Sequence, residues 1–147
     1  MKPDPARRYA PWFWTLTTLF ALRVAAQPAA LVVDAPLLPG FERWHSGAIP
    51  YPALVVTQLL ILVWMLRTAS HFHQGRVVPR RRLGLAMLVF GDLYFTSMLL
   101  RLVLGATVLS ERRWFASPLP TFFHLVLATY VALYGWYHLR HGVEGVS

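Results

Sequence analysis

The chain has 147 residues, a net charge of +8, a pI of about 10.9 and no cysteine. Disulfides, thiolate metal sites and cysteine nucleophiles are therefore excluded. With 56% hydrophobic residues arranged in four long stretches, the composition is that of a polytopic membrane protein, and the positive charge points to anionic lipid headgroups, not nucleic acid. The loops between the stretches are about 10 to 16 residues long, which leaves no room for a soluble domain, a nucleotide fold or a phosphate loop.

The stretches cover about 11–33, 48–66, 83–109 and 120–138. Backbone in hydrocarbon must satisfy its own polar groups, so each is a helix or a strand of a closed barrel. Their length and lack of strict alternation exclude barrel strands of roughly 10 residues. The expected fold is an all-α integral membrane protein, a single four-transmembrane-helix bundle.

Before the first span stand Lys2, Arg7 and Arg8. The 67–82 loop carries Arg67, Arg76, Arg80, Arg81 and Arg82, and Arg140 follows the fourth span. These are nine basic residues on one side against three on the other, Arg43, Arg112 and Arg113. Short basic loops stay on the side of synthesis, so both termini and the 67–82 loop are expected in the cytoplasm of a bacterial-type inner membrane. Arg80, Arg81 and Arg82 form the candidate contact with anionic lipid. Aromatic residues fit the same placement, with Tyr9, Trp12, Trp14, Trp64, Trp136 and Tyr137 as an inner belt and Trp44, Tyr51, Trp114 and Phe115 as an outer one. Arg7 and Arg8 followed by an apolar run and Val24, Ala25 and Ala26 also resemble a signal peptide. Because Arg23 interrupts that pattern and apolar sequence continues through Val33, a retained first span is expected.

Proline punctuates the second and fourth spans: Pro50 and Pro52 with Ser46 as a cap, and Pro118 and Pro120 with Ser117.

Residues that lipid should exclude carry the functional information. At about 1.5 Å of rise per residue, Arg23 lies roughly 18 Å and Asp92 roughly 13 Å from the inner edge, and Gln58 roughly 15 Å from the outer edge. A charge there costs about 3 kcal/mol or more unless it faces other helices or water. The simplest compensated arrangement is an Arg23 to Asp92 ion pair with Gln58 filling the remaining hydrogen bonds. Asp92 could otherwise be a proton-binding group or engage a ligand or partner. Arg101, nine residues from Asp92, emerges on the opposite face. It either snorkels to the outer headgroups or meets His124, Glu111 or Glu42. Arg101, His124, Tyr130 and Trp114 form a candidate outer-leaflet site for a quinone, a lipid or a partner.

Of the six histidines, His71, His73, His138 and His141 fall at the inner rim and are weak candidates for a metal site, His71 and His73 converging only if the chain there is not helical. Only His124 lies inside a span, so the paired intramembrane histidines of a b-type haem are missing. No cofactor is predicted, with quinone, lipid or haem as the alternatives. No catalytic set converges, and the buried charges find too few partners within one chain. Gly84 and Gly91, seven apart, allow close helix approach. The expected function is a non-catalytic accessory, assembly or interaction subunit of a larger membrane complex or homo-oligomer. The alternatives are a proton-coupled transporter or channel using Asp92 and Arg23, and a quinone-, haem- or metal-binding redox subunit.

Overall fold

A computed structural model describes residues 4–32, 50–112, 115 and 117–142, with backbone only at 31 and 32. Among them are four helices: α1 (Pro5–Val32), α2 (Tyr51–Gln74), α3 (Arg81–Ala106) and α4 (Pro118–His141). The last three are long and apolar enough to cross a membrane. α1 is 28 residues long but carries Arg23, Gln27 and several threonines, which lower its mean hydropathy.

Helix ends follow local chemistry. Asp4 caps α1, its Oδ1 accepting the Ala6 N–H at 2.9 Å. α2 ends at Gly75, whose φ of 69° turns the chain back so that the Arg76 N–H donates to the His71 carbonyl at 3.0 Å. Ser117 stands at the start of α4 without a side-chain capping bond, and Ser46 lies outside the described residues. The expected 67–82 loop is mostly helix, because α2 continues to Gln74. Its extra turns are held by buried Ala69 and Phe72, which share one core with Ala6 and Phe13 of α1. An apolar stretch marks what lipid can cover, whereas the helix extends as far as protein packs on it.

α3 and α4 lie side by side along most of their length, α1 packs on α2, and α1 also touches α4. The α3 to α4 contact is antiparallel and close. A Cβ added at Gly91 would come within 2.6 Å of the Ala132 backbone, and one at Gly84 or Gly135 would collide with the backbone at Leu139 or Leu88. Gly84 and Gly91 are thus spent inside the monomer and are not free for a second chain. The other half is joined by aromatic rings. Phe13 meets Phe72 at 4.2 Å and Tyr130 at 4.8 Å, Tyr137 meets Phe72 at 4.7 Å, and Trp64 meets Tyr130 at 5.3 Å.

The start of α1, the end of α2, the start of α3 and the end of α4 gather at one end of the bundle. Asp4 borders Gly75, the Arg80 N–H donates to His138 Nδ1 at 3.0 Å, and Tyr9 stacks edge-on with His141. That end carries Arg7, Arg8, Arg76, Arg80, Arg81, Arg82 and Arg140.

Candidate functional site

All four helices send polar groups into the half of the bundle away from the basic end. On α1, Arg23 and Gln27 stand one turn apart on the buried face, with exposures of 6% and 1%. Gln58 of α2 is buried opposite them, and its Nε2 donates to Gln27 Oε1 at 3.3 Å. On α3, Tyr94 and Arg101 are seven residues apart, roughly 20° short of two full turns, and so share one face. On α4, the His124 Nδ1 and the Tyr94 hydroxyl form a hydrogen bond of 2.5 Å. Phe123 presents its ring to the Arg23 guanidinium, 5.4 Å from the ring centre. Both arginines lie close enough to Tyr94 and His124 to act on them electrostatically.

Two helices and two spacings explain why these groups meet. The intervals 23 to 27 and 94 to 101 keep each pair on one stripe, and the antiparallel register of α3 with α4 brings Tyr94 and Arg101 to the level of His124. The cluster is rich in donors. Arg23 Nε and Gln27 Nε2 are buried with no hydrogen-bond acceptor, although a buried donor without an acceptor costs roughly 1 to 3 kcal/mol. An oxygen-bearing group placed beside α1 would accept from both.

The expected residues are distributed differently from the sequence reading. Arg23 and Gln58 are interior, but Asp92 is exposed on the outer side of α3, so the Arg23 to Asp92 pair is not assembled within the chain. Gln58 bonds to Gln27, not to that pair. Arg101 does not snorkel: it is 4% exposed, and its neighbours include Tyr94 and His124. Tyr130 is not beside Arg101. Its hydroxyl donates to the Met65 carbonyl at 2.8 Å, with Thr17 and Thr68 in reach, in the aromatic core nearer the basic end. Trp114 lies outside the described residues, as does Glu42. Gln27, Tyr94 and Phe123 were missed. Their signal was present as spacing: Gln27 four after Arg23, Tyr94 seven before Arg101, and Phe123 beside His124.

The four rim histidines do not converge. His71 and His138 line a cavity of about 270 Å³ with Arg76 and Arg80, His141 packs against the Tyr9 and Tyr137 rings, and His73 is exposed. Because α2 is helical there, His71 and His73 point about 160° apart around its axis. Among the described residues no three histidine or carboxylate side chains could hold a metal together. Arg80, Arg81 and Arg82 are exposed at the start of α3. A larger cleft of about 1080 Å³ opens between α1 and α4 at the basic end, with Arg8, Arg140 and His141 among its lining.

Comparison with known proteins gives no matching family model, no matching curated protein and no matching solved structure.

Proposed function

We propose that this chain crosses a bacterial-type inner membrane four times, with both termini in the cytoplasm, and serves as a non-catalytic interaction subunit of a larger membrane complex. Two observations support the topology. The basic residues gather at one end of the bundle, and α1 lies antiparallel to α2 and α4 from Tyr9 to Gln27.

The function rests on one observation, the position of Asp92. Leu85, Val89, Asp92, Thr96, Leu99 and Val103 follow one another at alternating steps of four and three, and all six are exposed. Such steps keep the six residues on one face, the spacing by which one helix seats on another. α3 already has α4 on its glycine face, so this seam points away from its own bundle. A carboxylate at mid-helix on a lipid-facing surface carries a cost of about 3 kcal/mol, which a partner able to donate to it removes. Parallel copies of this chain would set Asp92 against Asp92. The seam therefore suits a different subunit whose spanning helix offers a lysine, arginine or amide at the same depth.

The test is photocrosslinking from positions 89 and 99 in native membranes, followed by co-purification in mild detergent. Both positions should capture the same second protein, Asp92→Asn should weaken its retention, and Asp92→Leu should abolish it. Position 122, exposed on α4, serves as control. Capture of the same chain would favour a homo-oligomer, and absence of any crosslink together with full monomer stability would sink the proposal.

A second reading is favoured by the unaccepted donors of Arg23 and Gln27. Placed together with Tyr94 and His124, they suit a carboxylate or a quinone oxygen in the outer half of the membrane. Extraction and mass analysis of lipids and quinones retained by the purified protein, compared with Arg23→Gln, checks it. Identical content in the two proteins would dismiss this reading. Proton-coupled transport is disfavoured by the same geometry, because Asp92 and Arg23 face different environments.

A further inference from the structure

The cleft between the cytoplasmic ends of α1 and α4 has no part in the reading above except the membrane topology on which it rests. It arises because the two helices touch through rings at Tyr9 with Tyr137 and at Phe13 with Tyr130, leaving the outer side of that seam unfilled. Its volume is about 1080 Å³. Its chemistry changes along the membrane normal. Arg8 and Arg140, both exposed, stand at the mouth, Trp12 and Trp136 form the walls, and Leu16 and Leu133 line the deeper part. No acidic side chain is among its lining.

We infer that this cleft is a binding site for one anionic phospholipid of the inner leaflet. The phosphate sits between the guanidinium groups of Arg8 and Arg140, and an acyl chain runs between the tryptophans onto the leucines. Three features select this occupant. Two arginines from different helices converge on one opening, and basic pockets between spanning helices on the cytoplasmic side hold anionic headgroups. Trp12, 65% exposed, and Trp136 place amphipathic rings at headgroup level, where indole is favoured. The floor joins Leu16 and Leu133 with Thr15 and Thr129, whose hydroxyls already donate to the Pro11 and Leu125 carbonyls of their own helices, so an acyl chain can enter sideways without leaving a hydroxyl unpaired. This differs from the Arg80, Arg81 and Arg82 run, which is exposed at a helix start and attracts any anionic surface.

The experiment uses the full chain in nanodiscs, with native mass spectrometry of the released protein. In discs mixing phosphatidylglycerol with phosphatidylcholine, one phosphatidylglycerol should remain on the protein. Arg8→Gln with Arg140→Gln should lower that retention roughly thirtyfold, the product of two basic contributions at a membrane surface. Arg81→Gln with Arg82→Gln should leave it within about twofold. Leu133→Trp, which fills the cleft and keeps both charges, should also remove the bound lipid. Equal retention of phosphatidylcholine, equal loss in the Arg81 and Arg82 variant, or displacement by millimolar inorganic phosphate would each overturn the inference. The first would indicate a cleft blind to headgroup, the second general attraction, and the third a free-anion site.

Discussion

The Tyr94 hydroxyl and His124 Nδ1 join α3 to α4 by a side-chain hydrogen bond in the half of the bundle that also buries Arg23 and Arg101. Such a bond is worth roughly 0.5 to 1.5 kcal/mol net, and more is lost when one partner is left buried and unmet. Tyr94→Phe and His124→Phe should each destabilise the purified protein, and the double change should cost less than the sum by about that amount. Additive losses in a thermal unfolding assay would mean that the two side chains act separately.

The glycine seam predicts intolerance to a single methyl group. Gly135→Ala and Gly91→Ala should each cost on the order of 1 to 3 kcal/mol, because backbone and not a movable side chain stands in the way. Ala86→Leu, on an exposed position of the same helix, should leave the melting temperature unchanged. Equal effects from Ala86→Leu and Gly91→Ala would refute the close-packed interface.

Arg23 and Asp92 face different environments, so they should not be coupled. In a double-mutant cycle with Arg23→Gln and Asp92→Asn, the two effects on thermal stability should add within about 0.5 kcal/mol. A coupling well above that would place a route between them that the helix packing does not provide.

Arg101→Lys discriminates a buried guanidinium from a snorkelling cation. Arg101 is buried within electrostatic reach of Tyr94 and His124, and lysine, which lacks the planar fork, should destabilise by roughly 1.5 to 3 kcal/mol. A silent substitution would send Arg101 back to the headgroups.

Topology is tested by cysteine labelling in intact cells, the natural chain having no cysteine. Arg76→Cys should react only after permeabilisation and Ser117→Cys before it. Reversed accessibility would invert the bundle.

The number, order and approximate span of the helices were legible in the sequence, because length and apolar content are local properties. Asp92 and Arg101 on opposite faces of α3 was legible too, from 100° per residue. Arg101 with His124 was expected from matching depth, and Arg101 lies near enough to act on His124 electrostatically. What stayed hidden was which face of α3 meets α4. That choice is made by Gly84 and Gly91, which turn Asp92 outward and Tyr94 inward. Tyr130 was placed too far out because its depth alone could not show that the Met65 carbonyl, on a helix 65 residues earlier, would accept its proton. Gln27 lies within the expected first span, but only the packing of α1 shows that it faces the bundle interior.

On the proposed four-span topology, the aromatic seam between the two halves also bears on assembly. α1 with α2 and α3 with α4 are pairs of consecutive helices that pack on each other, and each would be able to form as soon as its second member enters the bilayer. The rings of Tyr130 and Tyr137 belong to α4, yet they complete the core begun by Tyr9, Phe13 and Phe72. Until α4 arrives, the first hairpin must hold those rings against lipid, and aromatic faces tolerate that wait better than a polar seam would. On that topology the two pairs would meet through a surface that hydrocarbon can occupy and later yield.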